Sequence, residues 1–458
     1  MIFTNILPEK RKKPLIKKVT ALLQFDKHLF FYVSILSALG IFFAYSSNIR
    51  IGFDTNNIFP CIKQIFFFIS GLGLMGLFSI ISYRRLSEHA VFLYTVCILL
   101  LVYTFFFGKS VNNSQRWISI GIISIQPSEF VKIFMIIVIA NYLDKNRSNM
   151  HTIRSLTGLG IIILVPILLI FLQPDLGTAL VFIPVTISML FISGMPLRYF
   201  FGIVLFGTLA AVIPIALTYA EMHDAGANIA VLILGDNRYL LLIAFFFLFI
   251  GMLAFLFNIS YRNPYIQSIF FFCIVIFCGL IMALLVQNYL LKPYQRERIL
   301  TFINPEADKW NLGYNVIQSQ ITIGSGGFTG KGFAQGAQGQ LGFLPSRNTD
   351  FIFSVIGEEL GFAGSFLILL IYFLFIRKLL GIAGSVKDYL GGQIVIGICC
   401  MFLVQIFVNI GMTIGLAPIT GLPLPFLTSG GSTLWTSLMA AGIVMNIEHN
   451  KHVHAPQK

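Results

Sequence analysis

Long apolar runs, separated by short polar breaks, occupy most of the chain. Most of them approach or exceed the roughly 20 residues that an α-helix needs to cross a bilayer. The pattern predicts an all-α, polytopic helical membrane protein with about ten to twelve transmembrane helices. We assign twelve runs as candidate spans, at 28–47, 60–82, 89–108, 128–143, 156–172, 177–194, 199–219, 239–258, 267–289, 351–376, 390–416 and 431–447.

Composition supports this class and excludes others. Hydrophobic residues make up 57% of the chain and charged residues 11%, whereas an average soluble domain is roughly 25% charged. A soluble globular protein and a disordered one are therefore excluded. An outer-membrane barrel is excluded as well, because its strands alternate polar and apolar residues instead of forming unbroken apolar runs.

The net charge of +13 arises from 31 Lys and Arg against 18 Asp and Glu. Nineteen of the basic residues fall in the N-terminal segment, the C-terminal tail and the alternate connections between them. Basic residues mark cytoplasmic segments, so the pattern predicts that both termini are cytoplasmic. Membrane orientation accounts for the excess of basic over acidic residues. Membrane lipids are therefore expected partners, and nucleic acid is not.

One predicted extracytoplasmic loop is long enough to indicate function, since long loops in compact proteins are usually functional or disordered. This topology divides the chain into five parts. They are a basic cytoplasmic N-terminal segment (1–27), the first part of a transmembrane bundle (28–289), the large extracytoplasmic loop (290–350), the last part of the bundle (351–447) and a cytoplasmic tail (448–458).

Charged side chains in or against the bilayer are costly, so each one is a functional hypothesis. Glu129 and Lys132 follow Arg116 closely and share one face of a predicted helix. They form either a self-neutralising ion pair or part of a site for a charged substrate. Asp175 stands between two apolar runs, where it either caps the next helix or lines an outward-facing cavity.

The large loop begins with two nearby arginines, Arg296 and Arg298. They either grip a phosphate or pyrophosphate, or belong to a solvated helix start. Residues 311–323 predict a helix lying in or on the membrane. The glycine-rich stretch 324–342 that follows indicates close backbone approach or positive φ.

The loop ends at Asp350, just before the tenth predicted span. Its carboxylate either caps that span or joins a polar cavity. Glu358 and Glu359 lie two turns later and must face different sides of the helix, so at least one is expected to point into a polar cavity.

These polar clusters resemble the motifs of the SEDS family (shape, elongation, division and sporulation). The motifs cover most of the chain from about residue 110 to 435, in the family's order. The glycine-rich form is more similar to the elongation branch (RodA) than to the division branch (FtsW). The matching stretches are QRWI, QPSE, QPDLGT, YQRER, NPEAD, GYNVIQSQ, IGSGG, GKG, FLP, TDFIF, GEELG and PFLTSGGS.

The resemblance implies a peptidoglycan glycosyltransferase of the bacterial cytoplasmic (inner) membrane. Such an enzyme polymerises lipid II into a nascent glycan strand on the outer face, for cell elongation and shape. The donor anomeric carbon is inverted and polyprenyl pyrophosphate is released. The expected partner is a class B penicillin-binding protein, which acts as the transpeptidase. Family members commonly have ten spans, so an extra hairpin is expected within 199–289.

The resemblance also assigns roles to residues. Asp308 matches the family's catalytic aspartate in NPxxD…GY and is the expected general base. A divalent cation could assist the leaving group, although no metal-binding spacing is present. Asn348 replaces a more usual histidine, and Lys309-Trp310 replaces a commoner proline-containing turn. The expected substrate-binding residues are Arg116, Glu129, Lys132, Asp175, Arg296, Arg298, Gln318, Ser319 and Asp350.

Two other functions remain open at the level of sequence. Polar residues within a helical bundle and interrupted helices also suit a flippase or transporter of lipid-linked cell-wall precursors. The third hypothesis is a scaffold that only positions partner synthases. A dominant carboxylate in a large outer loop favours the enzyme.

Overall fold

Helices dominate the structure, a computed structural model of the full chain. The description below covers residues 26–48, 59–111, 114–121, 123–147, 152–173, 175–222, 237–261, 263–290, 293–305, 312–336, 338, 343–344 and 346–451. Within these ranges fifteen helices follow in chain order: α1 Lys27–Ser46, α2 Phe59–Ile80, α3 Tyr83–Glu88, α4 Ala90–Phe107, α5 Pro127–Lys145, α6 Ile153–Leu172, α7 Leu176–Ile192, α8 Leu197–Met222, α9 Asn237–Tyr261, α10 Pro264–Leu285, α11 Pro293–Ile303, α12 Leu312–Ser325, α13 Ile352–Ser385, α14 Tyr389–Thr413 and α15 Gly431–Asn450.

All twelve predicted spans coincide with helices. Among the described residues, nine helices are long and apolar enough to cross a membrane. The other three predicted spans correspond to α5, α7 and α15. Nearly every residue of α5 and α15 is buried inside the protein. Because protein and not lipid surrounds them, these two helices tolerate more polar residues than the outer spans do.

A small antiparallel sheet follows α4, and the sequence analysis did not anticipate it. Its strands are β1 Lys109–Val111, β2 Ser114–Ile120 and β3 Ile123–Ile125, in the order β1-β2-β3. In the register of β2 and β3, Ile118 lies opposite Ile125. Strands β1 and β3 have three residues each, too few to show alternation, and the seven residues of β2 do not alternate strictly between polar and apolar. The sheet places the QRWI motif beside the start of α5.

A break in α13 explains the glycine-rich stretch. Gly361 has φ +66° and ψ −163°, so the helix is interrupted there. Backbone N–H groups of Lys331 and Gly332 donate to the carbonyls of Glu358 and Glu359, both at 3.0 Å. In return, Phe362 and Ala363 N–H donate to the carbonyls of Gly327 and Phe328, at 2.9 and 3.0 Å. The loop therefore satisfies the polar backbone groups that the break exposes.

The two glutamates before this break face different sides, as predicted. Glu358 is fully buried and forms an ion pair with Lys331 (Oε1 to Nζ, 2.8 Å). Glu359 is also buried and accepts a hydrogen bond from the hydroxyl of Ser46 at the end of α1. One carboxylate thus holds the glycine-rich loop and the other holds the first helix.

The region 199–289, in which an extra hairpin is predicted, contains three long helices. Helices α8, α9 and α10 share a buried cluster of their own, distinct from the main core. Its members are Ile213, Leu217, Leu240, Ala244, Leu280, Ala283 and Leu284. A short π-helical turn, Val286–Leu290, follows α10 and leads into the large loop.

Within the large loop the structure contains α11 and α12. Helix α12, Leu312–Ser325, confirms the helix predicted over 311–323. The predicted catalytic residue Asp308 lies outside the described residues, as do Lys309 and Trp310.

Candidate active site

Asp175 is the N-cap of α7, and its carboxylate has several partners. Oδ1 accepts from the Thr178 N–H (3.2 Å) and Oδ2 from the Thr178 hydroxyl (2.9 Å), which caps the helix. Gln126 Nε2 donates to Oδ2 at 2.9 Å. Arg116 Nη1 lies 3.6 Å from Oδ1. The same carboxylate therefore starts α7 and forms an ion pair with Arg116.

The guanidinium of Arg116 is held between β2 and the end of α6. Its Nε donates to the Gln173 carbonyl at 2.9 Å. The Gln173 side chain in turn donates to the Leu101 carbonyl (2.7 Å) and to Thr104 Oγ1 (3.1 Å) on α4. Gln173 therefore holds Arg116, and α4 holds the side chain of Gln173. These contacts keep the positive charge of Arg116 in a constant position.

Gln126, immediately before α5, connects three helix starts. Its side chain reaches Asp175 at the start of α7. Its backbone N–H donates to Ser432 Oγ, in the first turn of α15, at 3.0 Å. The QPSE, QPDLGT and TSGGS motifs therefore meet at one end of the bundle, which we call the site end.

Glu129 and Lys132 form the ion pair that their spacing predicts. Lys132 Nζ donates to Glu129 Oε1 at 2.8 Å, and both side chains are only 2% exposed. The hydroxyl of Thr436 on α15 donates to the other carboxylate oxygen at 3.4 Å. The pair lies in the first two turns of α5, close along the chain to Gln126, and so adjoins the Asp175 network.

Asp350 and Arg298 belong to the same end of the bundle. Arg298 Nη1 donates to the carbonyls of Ile419 and Thr420 at 3.1 and 3.3 Å. A Cβ added to Gly421 would lie 3.5 Å from Asp350 Oδ2. The segment that joins α14 to α15 therefore brings the two charged residues near each other.

Burial raises the pKa of Asp350, and its neighbours modify that effect. A hydrogen bond with Thr349 and the positive charges of Arg298 and Arg116 lower the pKa, while the Asp175 carboxylate raises it further. Four predicted site residues on four different segments thus lie within electrostatic reach of one another. Asp350 does not cap α13, since Phe351 occupies the N-cap position and no side chain caps that helix.

The remaining predicted site residues have other surroundings. Arg296 Nη2 donates to the Gln287 carbonyl at 2.6 Å, away from the carbonyls that Arg298 contacts. Gln318 lies on α12, where its carbonyl accepts from the Thr322 hydroxyl at 2.6 Å. Ser319 is fully buried and its hydroxyl contacts Ser354 Oγ (2.7 Å) and the Thr413 carbonyl (2.6 Å). That hydroxyl joins α12 to α13 and α14.

The arrangement holds several cations beside carboxylates at the site end. Such a group can bind an anionic, hydroxyl-rich ligand and stabilise a leaving phosphate. In the part of the chain that the structure describes, no three His, Cys, Asp or Glu side chains are grouped to hold a metal ion. The divalent cation stays a prediction.

The sequence matches a known family along almost its whole length. The family is described as cell cycle protein and comprises FtsW, RodA and SpoVE, and the match covers residues 26–226 and 227–453. The chain belongs to the FtsW, RodA and SpoVE family. This is the SEDS family that the motifs indicated.

Similar proteins within the family carry enzyme names. The peptidoglycan glycosyltransferase RodA of Treponema pallidum is 37% identical over 444 residues, which cover 94% of this chain and 99% of that protein. The peptidoglycan glycosyltransferase MrdB of Escherichia coli strain K12 is 33% identical over 385 residues, covering 84% and 83% of the two chains.

Solved structures share the fold of this chain. One chain, from a study of how a peptidoglycan synthase complex coordinates polymerisation and crosslinking, has a TM-score of 0.64 and 26% identity. It aligns with 94% of this chain and 99% of its own length. The rod shape determining protein RodA of Thermus thermophilus has a TM-score of 0.58 and 22% identity, with 94% and 98% coverage.

Sequence reasoning left out two groups of site residues. Gln126 belongs to the recognised QPSE motif, but its side-chain amide is uncharged. Only the charged residues near it were predicted to be site residues. Ser432 and Thr436 are four residues apart in a predicted span and so share one helix face. That polar spacing was the available signal for them. The contact of Arg298 with Ile419 and Thr420 had no sequence signal, because backbone carbonyls carry none.

Proposed function

We propose that this protein is a peptidoglycan glycosyltransferase that polymerises lipid II into glycan strands for cell elongation and shape. The observation that carries the proposal is the convergence of Arg116, Asp175, Arg298 and Asp350 at one end of a membrane bundle. The names of the similar RodA and MrdB proteins support the same reaction.

In the proposed reaction a sugar hydroxyl attacks the anomeric carbon of a lipid-linked donor. A new glycosidic bond forms as the bond to pyrophosphate breaks, and the configuration at that carbon inverts. Asp308 takes the hydroxyl proton as attack develops. The polyprenyl pyrophosphate leaves with the bonding electron pair, and its growing negative charge is stabilised by cations of the site end.

The cations of the site have different surroundings, and we use this difference to assign their roles. The charges of Arg116 and Arg298 both act on Asp350, and the Asp175 carboxylate acts on Asp350 as well. We assign the two arginines to the pyrophosphate, with Lys132 of the adjoining ion pair as a further substrate contact. Arg296, Gln318 and Ser319 stay predicted substrate contacts of the large loop.

The proposed topology places the site end outside the cytoplasmic membrane. Both termini then lie in the cytoplasm, and 290–350 is an extracytoplasmic loop between the two parts of the bundle, 28–289 and 351–447. The excess of Lys and Arg in alternate connections supports this orientation. Lipid II presented on the outer face would reach the site end directly.

We also propose a class B penicillin-binding protein as the partner. The similar chain with a TM-score of 0.64 comes from a peptidoglycan synthase complex that couples polymerisation to crosslinking. A transpeptidase bound to this protein would crosslink the glycan strand as it emerges.

The test is polymerisation of labelled lipid II by the purified protein with its partner, read on a gel of glycan strands. Asp308→Asn should lower polymer formation by roughly 10²–10⁴-fold, as expected for loss of a general base. The matched control is Asp144→Asn, because Asp144 is 39% exposed in a pair with Arg147 and far from the site end.

Near-normal polymerisation by Asp308→Asn would contradict the assignment of the base. If the parent protein moves lipid II headgroups across liposomes and forms no polymer, the protein is a flippase and not a polymerase. If it does neither, yet raises the activity of a partner synthase, it is a scaffold.

A further inference from the structure

A pocket lined by charged residues lies at the opposite end of the bundle from the candidate active site. The start of α1, the last turns of α13 and the end of α15 border this open pocket, which has a volume of about 490 Å³. This size lies within the usual range for small-ligand pockets. Its lining includes His28, Tyr32, Arg377, Lys378, Glu448 and Lys451.

Lys378, on α13, forms ion pairs with residues at the ends of α1 and α15, the other two helices around this pocket. Its ammonium group forms an ion pair with Asp26, the N-cap residue of α1. The same ammonium lies 3.3 Å from Glu448 Oε1 on α15. Burial raises the pKa of Asp26, but side-chain hydrogen bonds with Glu448 and Lys378 outweigh it and bring the pKa to about 2. Burial and the hydrogen bond with Asp26 raise the pKa of Glu448 to about 7, so Glu448 holds the proton that the two acidic side chains share. Lys378 and the two acidic side chains therefore form a structural clamp.

Two further cations face the pocket and are not needed for the clamp. Arg377 is exposed and has no hydrogen bond or ion pair with any residue that the structure describes. Lys451 Nζ is 3.9 Å from Glu448, too far for a hydrogen bond. The pocket therefore has three cations, Arg377, Lys378 and Lys451, and two acidic side chains, Asp26 and Glu448. The imidazole of His28 also lines it. The pocket favours an anion.

The pocket is also amphipathic. Leu374, Gly381 and Ile382, within the last turns of the apolar helix α13, form an apolar wall beside the cations. A ligand here would place a charged group among the cations and an apolar group against this wall. A phospholipid at a membrane surface has this division.

We propose that this pocket binds the phosphate headgroup of an anionic phospholipid in the cytoplasmic leaflet. Basic pockets between transmembrane helices on the cytoplasmic side recognise such headgroups. The residues before α1 are themselves basic, with Lys10 to Lys13 and Lys17-Lys18. Having the same sign as the pocket, they would concentrate anionic lipid near it without competing for it. The bound lipid would tie α1, α13 and α15 together.

Native mass spectrometry of the purified full-length protein can count retained lipids. Phosphatidylglycerol is the anionic probe and phosphatidylcholine the zwitterionic comparison. The parent should retain phosphatidylglycerol preferentially, and Arg377→Gln and Lys451→Gln should each weaken its binding by about fivefold. The matched control is Arg85→Gln, since Arg85 is exposed at the same end of the bundle but does not line the pocket.

Equal retention of phosphatidylglycerol by Arg377→Gln and Arg85→Gln would overturn the proposal. Glycerol phosphate, which has the headgroup chemistry without acyl chains, should displace the lipid only at far higher concentration. Displacement at equal concentration would show a site for soluble phosphates and overturn the lipid assignment. Polymerisation by Arg377→Gln in phosphatidylcholine nanodiscs should match the parent, which separates this test from that of Asp308.

Discussion

At the scale of single residues, the site end is built from charges that neutralise one another. Glu129 and Lys132 are the most enclosed example, with 2% exposure each. Removing two charges from water is expensive, and their mutual attraction offsets this only when the geometry is good. Taking away one partner leaves the other charge buried and unpaired. The pair is therefore far more sensitive to single substitutions than to a matched double substitution.

Glu129→Gln or Lys132→Met alone should lower the free energy of unfolding by about 3–5 kcal/mol. The double variant should be close to the parent in stability. Thermal melting in detergent gives the comparison, with Asp144→Asn as control. That change breaks an ion pair of the same i,i+3 spacing at 39–49% exposure, and such pairs contribute less than about 1 kcal/mol.

Single variants as stable as the parent would contradict the buried pair. The double variant also separates the two roles that the spacing allows. Normal polymerisation by a folded double variant makes the pair structural, and lost polymerisation with retained folding assigns it to substrate.

Asp350 illustrates a charge whose burial works against folding. Because its pKa is raised from 3.8 in the folded protein, the folded state binds this proton more tightly than the unfolded state does. The parent should therefore gain stability as pH falls through the raised pKa towards 3.8. Asp350→Asn cannot titrate and should lack this gain.

Melting temperatures measured between pH 7.5 and pH 4 give the difference between parent and Asp350→Asn. We expect the variant to be relatively more stable at pH 7.5 and to lose that advantage as the pH falls towards 3.8. Parallel shifts of the two proteins with pH would refute the assignment. The exposed Asp144→Asn serves again as control.

At the scale of elements, the interrupted helix α13 depends on glycine. Gly361 has φ +66°, and a Cβ there would meet the Gly330 N at 2.3 Å. Gly330 itself has φ +81°, and its own added Cβ would lie 2.1 Å from the Glu359 carbonyl oxygen. Unpaired backbone groups inside a membrane bundle are tolerated only where protein satisfies them. The break and the glycine-rich loop can therefore form only together.

Gly361→Ala should destabilise the protein by at least about 1–3 kcal/mol from backbone strain, with steric overlap in addition. Gly384→Ala on the same helix is the control, since nothing lies within 4 Å of its added Cβ. That change should be neutral or stabilise by roughly 0.5–1 kcal/mol. Equal melting temperatures for the two variants would rule out the close approach of loop and helix.

At the scale of the whole molecule, α8, α9 and α10 form a unit beside the main bundle. Their own buried cluster is distinct from the main core. An added pair of spans would leave the later helices in the same orientation, so the large loop and α13 would keep the positions that the proposed site requires. An odd number of added spans would move Arg298 and Asp350 to opposite sides of the membrane from Arg116 and Asp175.

Cysteine labelling from outside the cell tests this arrangement in a cysteine-free background. Asn263→Cys, in the connection between α9 and α10, should resist a membrane-impermeant reagent because the proposed topology places it in the cytoplasm. Gln115→Cys is the positive control, since Gln115 is exposed on β2 beside the site end. Labelling of Asn263→Cys from outside would reject the twelve-span topology.

The amino-acid sequence alone determined the membrane class, the family and twelve of the fifteen helices that the structure describes. Apolar runs specify helices in lipid because every backbone group must be satisfied within its own segment. The spacing of Glu129 and Lys132 likewise predicted their pairing, because residues three apart in a helix lie on the same face. Charged residues at the starts of spans were predicted as site residues from the sequence alone, because a charge in or against the bilayer is costly.

Only the tertiary structure decided which of these residues meet. Arg116 and Asp175 are far apart in sequence, as are Arg298 and the carbonyl of Ile419, and their contacts arise where helix ends converge. Nor could sequence place Ser319 at a joint between three helices or pair the glycine-rich loop with the break at Gly361. Such contacts depend on packing and on backbone carbonyls, and neither leaves a pattern in the order of side chains.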